Sequence, residues 1–238
     1  MSSAKTFTFT IDGRAVEARE GQTIIAAADA AGIYIPRLCY SKELPPHGSC
    51  RVCTVLVNGR PQAACTQPAA PGINVENETP VLREQRLQLL EMLFVEGNHF
   101  CPLCEKSGSC ELQALAYRLG MLAPRYPYFF PRWDVDATHP EVWLDRNRCI
   151  LCGRCESASR LQDNKGTFGF VGRGPHKQMA VSSAAGLAAT SLRGSDKAAS
   201  VCPVGCILPK RRGYAVPIGR RPYDLQPIGS DIEKAAAP

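Results

Sequence analysis

The sequence predicts an α+β protein built of three small units in series, each folded around a group of cysteines. Three observations predict it. Residues 5–20 alternate apolar and polar about a tight-turn pair, the pattern of a β-hairpin. Residues 81–96 and 111–119 show apolar recurrence at helical spacing on either side of a cysteine-rich loop. The twelve cysteines fall into three groups rather than spreading along the chain.

Composition limits the readings. The 238 residues are 45% apolar but only 7% aromatic, so a small unit would have a thin core that bound metal could offset. The net charge of +6 comes without a long basic run or aromatic–basic interleaving, so nucleic acid is not an expected partner. No apolar run approaches the roughly 18–20 residues of a membrane helix, so no membrane association is expected. Met1 to Lys5 lead straight into alternating Thr and Phe, without the apolar segment of a signal peptide. A cytoplasmic protein is expected, and in a reducing compartment clustered cysteines argue for metal rather than a disulfide framework.

The first unit, residues 1–78, opens with alternation on both sides of Asp12-Gly13, a two-residue hairpin turn. Thr23 is placed to cap a helix over residues 24–31, and Gly32 to end it. Hairpin, helix and cysteine loop predict a β-grasp domain. Its loop carries Cys39, Cys50, Cys53 and Cys65. Residues 51–59 alternate around Val52, Val55 and Val57 and predict a strand, with Asn58-Gly59 as a second tight turn. Four thiolates suit a [2Fe–2S] cluster, each iron taking two. Gly48 is expected to let backbone approach sulfur. A four-cysteine zinc site usually shows two C-x2-C pairs, and here there is one.

The second unit, residues 79–137, places His99, Cys101, Cys104 and Cys110 between its two helices. Three cysteines leave one iron of a cubane without a protein ligand, and His99 is the nearest candidate. A Cys3His zinc site is the competing reading. The Pro- and aromatic-rich stretch 124–140 predicts a connector packed on a neighbouring domain, with an exposed partner surface as the other reading.

The third unit, residues 138–238, has Cys149-x2-Cys152-x2-Cys155 and a distant Cys202-Pro203. Bacterial ferredoxins continue that triple with x3-Cys-Pro. Here the position holds Ser159, so Cys202 is expected to complete a [4Fe–4S] site. The segment between predicts a loop or strand pair and then a short helix. The basic tail, Lys210-Arg211-Arg212 and Arg220-Arg221, reads as a solvated face open to a partner subunit. The three sites use eleven cysteines and one histidine. Cys206 is left over and expected to be an inert buried thiol.

In the order of these groups the chain resembles the electron-transfer module at the start of the large iron–sulfur subunit of respiratory complex I, and iron-only hydrogenases begin similarly. Glu96-Gly97-Asn98-His99, Cys104-Glu105-Lys106-Ser107-Gly108, Tyr126-Pro127-Tyr128, Gly213-Tyr214 and Pro217 to Arg221 resemble the small diaphorase subunits of soluble NAD-reducing [NiFe]-hydrogenases. That resemblance implies a β-grasp [2Fe–2S] ferredoxin-like domain, a helical domain with a one-histidine, three-cysteine cluster, and a ferredoxin-like [4Fe–4S] domain. It implies one [2Fe–2S] and two [4Fe–4S] clusters. It also implies a partner diaphorase large subunit carrying FMN and NAD, and hydrogenase large and small subunits carrying the Ni–Fe centre. There are departures. The complex I subunit has a much larger C-terminal domain and three residues between its histidine and first cysteine, where only Phe100 stands here. The further cysteines of iron-only hydrogenases do not follow Cys206.

No G-x-G-x-x-G opens a helix after a strand, and no second cysteine set fits nickel. The chain is therefore expected to be a non-catalytic electron relay of a hydrogen:NAD+ oxidoreductase. A relay for an NAD-dependent formate dehydrogenase or a complex I-like assembly is the alternative within the class. A structural zinc scaffold and a self-contained reductase are the alternatives outside it.

Overall fold

The computed structural model describes residues 5–234; the expectation for Met1 to Ala4 lies outside them. The chain divides into two compact units. One holds the described residues up to Leu90 together with those from Pro227 on, and the other is Glu91–Gln226.

The first unit is an α+β domain. Strands β1 (Thr6–Ile11) and β2 (Arg14–Arg19) form the hairpin, with Asp12 and Gly13 both at positive φ as its turn requires. Helix α1 (Ile24–Ala30) starts at Thr23, whose hydroxyl accepts the Ala26 N–H at 3.4 Å. Strand β3 (Thr54–Val57) turns through Asn58-Gly59 into β4 (Arg60–Ala63), and β5 (Asn74–Glu76) completes the sheet. The order is β2-β1-β5-β3-β4, with β1 and β5 parallel. Ile24, Ile25, Ala27 and Ala28 of α1 close the core against Phe9, Ile11, Val16, Val55 and Val75, all fully buried or nearly so.

The expected strand over residues 51–59 is shorter than its alternation. Arg51 has φ +59, and pairing begins only at Thr54. The residues around Cys53 are taken by the cysteine loop, which overrides the alternating pattern.

Helix α2 (Pro80–Glu96) starts with proline in its first turn and the Thr79 hydroxyl accepting the Leu82 N–H at 3.2 Å. Within the second unit, α3 (Glu111–Leu119) ends on Gly120 in the left-handed conformation. Strands β6 (Val135–Asp136) and β7 (Val142–Asp145) lead to α4 (Arg154–Leu161). A hairpin of β8 (Phe168–Val171) and β9 (Gln178–Val181) precedes the short helix α5 (Lys197–Ser200), as the glycine-rich insert predicts. Strand β10 (Ile207–Pro209) returns to β7 in the sheet β10-β7-β6.

The connector departs from the packing expected of it. Phe129 is 70% and Phe130 65% exposed, and Tyr128 stacks on Phe130 at 5.2 Å between ring centroids. Among the described residues no helix is long and apolar enough to cross a membrane.

Candidate metal centres

Cys39, Cys50, Cys53 and Cys65 converge in the first unit. The Cys39 N–H donates to Cys50 Sγ at 3.4 Å. The Cys65 thiol bonds both Cys39 and Cys53, so the four sulfurs form one connected group. Donation from Cys50 and Cys65 holds the Cys39 thiol far below its ordinary value, and donation from Cys65 lowers Cys53 to about 7.

Two arginines hold this loop. Arg37 pairs with Asp29 through both terminal nitrogens at 2.6 Å, donates Nε to Ile35 O, and lies over the Tyr34 and Tyr40 rings. That fixes the chain just before Cys39. Arg86, 1% exposed, donates to the carbonyls of Val52 and Thr54 on either side of Cys53, and to Asn77. These bonds satisfy the backbone carbonyls that flank Cys53. Gly48 also leaves room for Thr66: a Cβ there would lie 3.0 Å from its methyl. Its φ of +65 turns the loop.

In the middle site α2 delivers Gly97 and His99. The imidazole accepts no proton readily: burial, then the charge of Arg148, lowers its pKa to about 4. One ring nitrogen bonds the Leu93 carbonyl, which fixes the tautomer. The other, Nε2, is buried without a hydrogen-bond partner among the described residues. A Cβ on Gly97 would overlap that nitrogen. A neutral, oriented and orphaned imidazole nitrogen fits a metal ligand. Cys101 starts a single 3-10 turn, and the Cys104 N–H donates to Cys101 O at 3.1 Å. Gly108, at φ +74, bends the loop back to Cys110 at the start of α3. Burial pushes the Cys110 thiol up to about 12.

In the third site Cys149, Cys152, Cys155, Cys202 and Cys206 line one small cavity with Phe170 and Met179. Ser159, standing where a ferredoxin would have cysteine, is fully buried and accepts the Thr167 N–H at 2.7 Å. It pins the exit of the insert. Asp163 accepts the first two amides of α5, at 2.9 and 3.0 Å, and pins its return. Lys165 and Asp196 close the same gap at 2.6 Å. Cys202 follows directly and so comes back to the triple. Cys206 is 1% exposed, and its thiol bonds Cys149 and Cys202. It is buried, as the sequence predicts, and lies against the third cysteine group.

The middle and third sites share structure. Glu111 N donates to Pro203 O at 2.9 Å, Arg154 pairs with Glu111, and Arg148 Nη1 donates to Cys104 Sγ at 3.6 Å. A Cβ on Gly205 would lie 2.6 Å from Cys104 Sγ. These residues carry no pattern in sequence; only the fold brings them to the sulfurs. The tail is also tied down rather than solvated throughout. Arg221 pairs with Asp224 and donates to Ser107 O, and a Cβ on Gly108 would overlap its guanidinium.

Soft thiolates in three groups of three or more, with one neutral imidazole, fit iron–sulfur clusters. Among the described residues no group of three or more His, Cys, Asp or Glu side chains is set to hold a single metal ion.

Three family models match the chain in order: a 2Fe-2S iron-sulfur cluster binding domain over residues 4–80, the NADH-ubiquinone oxidoreductase-G iron-sulfur binding region over 86–125, and a 4Fe-4S single cluster domain over 142–208. The gamma subunit of the NAD-reducing hydrogenase HoxS of Cupriavidus necator is 44% identical over 92% of this chain and 94% of its own. The mitochondrial NADH-ubiquinone oxidoreductase 78 kDa subunit of Candida albicans is 32% identical over 91% of this chain but only 30% of its own length. A chain in the crystal structure of an NAD+-reducing [NiFe]-hydrogenase in the H2-reduced state superposes with TM-score 0.92, at 48% identity, over 98% of this chain and 99% of that one.

Proposed function

Because the chain belongs to the family of the gamma subunits of NAD-reducing hydrogenases, we propose that it relays electrons between a [NiFe] hydrogenase module and an FMN/NAD diaphorase subunit. The observation that carries this is the series of three cysteine groups, with a buried histidine nitrogen lacking a hydrogen-bond partner next to the second in the chain. Iron–sulfur clusters supply one-electron transfer with little movement of their ligands.

The proposed ligands are Cys39, Cys50, Cys53 and Cys65 for one [2Fe–2S] cluster. His99, Cys101, Cys104 and Cys110 serve one [4Fe–4S] cluster, and Cys149, Cys152, Cys155 and Cys202 a second. The functional units 1–78, 79–137 and 138–238 follow these sets, and the three successive family models support that division. What this chain does is positional. Arg37 and Arg86 brace the first loop, Leu93 O orients His99, and Asp163 returns Cys202 to its site. The subunit has no reaction site of its own, and hydrogen and NAD are handled by partners. A cytoplasmic location fits the reduced state of twelve cysteines.

Anaerobic purification of the native complex tests the reading. About ten irons and ten sulfides per chain are expected from four ligands per cluster, with a nickel-containing subunit co-eluting. A formate-oxidising or membrane partner would move the chain to the alternative assemblies. A colourless zinc protein would overturn the relay. NADH oxidation by the isolated chain would make it a reductase in its own right.

A further inference from the structure

Arg148 precedes the first cysteine of the third site, yet its side chain points into the middle one. Its Nη1 donates to Cys104 Sγ at 3.6 Å. The Asp145 carboxylate takes its Nε at 3.0 Å, and the guanidinium lies over the Trp143 ring at 5.4 Å. The side chain is 16% exposed, so the contact is held in one geometry and largely shielded from solvent. Gly205 makes the room: a Cβ there would stand 2.6 Å from Cys104 Sγ and 3.4 Å from Arg148 Cδ. The sulfur can sit there only because that residue has no side chain, with the arginine stem at contact distance beside it. The exchange runs the other way too. Lys106, on the middle loop, also abuts Gly205, and its charge acts on Cys202 of the third site.

We propose that Arg148 is the electrostatic link between the two [4Fe–4S] sites and that its guanidinium holds up the reduction potential of the middle one. The inference rests on the proposed ligand sets. A cluster gains one negative charge on reduction. A cation donating to one of its sulfurs favours the reduced form, and such charge-assisted contacts outside the ligand set tune a metal centre. Asp145 acts on the arginine, orienting it and partly offsetting its charge. The facing groups are therefore Asp145, Trp143, Cys104, Cys101 and His99, of which Asp145 is the formal anion among the non-ligands.

The test is redox-titrated EPR on the intact complex carrying Arg148→Met, Arg148→Gln or Arg148→Lys, with iron content measured alongside. Arg148→Met should lower the midpoint of the middle cluster by at least a tenfold change in the reduction equilibrium, about 59 mV for one electron. Arg148→Gln, which keeps a donor but no charge, should lower it less. Arg148→Lys should recover most of the shift, and the third cluster should move less than the middle one. An unmoved midpoint, equal shifts for Lys and Met, or iron lost in both Met and Gln variants would overturn the proposal. Unsubstituted complex without two [4Fe–4S] signals would instead refute the ligand sets themselves.

Discussion

Arg154 grips Glu111 with both terminal nitrogens, at 2.6 and 2.7 Å. Arg154 lies between Cys152 and Cys155, and Glu111 follows Cys110 directly. The pair therefore joins the cysteine turn of the third site to the last cysteine of the middle one. The Arg154 side chain is 7% exposed, so its charge depends on this partner. A fixed span between two centres matters in a relay, because electron transfer falls steeply with distance.

Glu111→Gln leaves that guanidinium buried with half its partner gone. A loss of about 3 kcal/mol is expected, the scale for breaking a buried pair. Chemical denaturation of the holoprotein, followed by its visible absorbance, should show a lower midpoint. An unchanged midpoint would mean the pair adds nothing to the join.

Two glycines sit against proposed ligands. Gly205→Ala would drive a methyl toward Cys104 Sγ, and Gly97→Ala would drive one into His99 Nε2. Each should empty the middle site alone, taking iron from about ten toward about six per chain. The [2Fe–2S] signal should persist. Full iron in both variants would place those ligands elsewhere.

His99 is the one proposed ligand without a thiolate. Replacing it by thiolate adds negative charge to the centre. In His99→Cys protein the middle signal should titrate at a lower potential, in line with the higher potentials of histidine-ligated centres. A midpoint that stays put counts against His99 as ligand.

At the surface, donation from Arg221 lowers the Asp224 carboxyl to about 2. A carboxylate whose folded value is depressed contributes stability above its unfolded value, near 3.9. That contribution fades as pH falls through about 2. Since Arg221 also holds Ser107 O, the tail should come loose from the Ser107–Gly108 turn in acid. Asp224→Asn protein should show faster hydrogen exchange of residues 219–224 than the unsubstituted chain at the same neutral pH. Identical exchange at neutral pH would remove Asp224 from the clamp.

The cysteine groups and most elements were legible in the sequence because each depends on neighbours in the chain. A hairpin is set by alternation around Asp12-Gly13, a helix by recurrence from Val81 to Val95, and a cysteine turn by its own spacing. The reading went astray where that local logic was overruled. Alternation ran through Val52 but the cysteine loop took the residue from the sheet. The aromatics at 126–130 promised packing and are exposed.

By itself the sequence determined the order of the cysteine groups and which backbone turns present them. The tertiary structure decided what surrounds those atoms. Arg148 reaches Cys104 across 44 residues, and Arg154 reaches Glu111 across 43. Charge acts through space, and so does the room that Gly205 leaves for the Cys104 sulfur. No spacing along the chain encodes either, because both depend on where β7, α4 and β10 bring distant loops together.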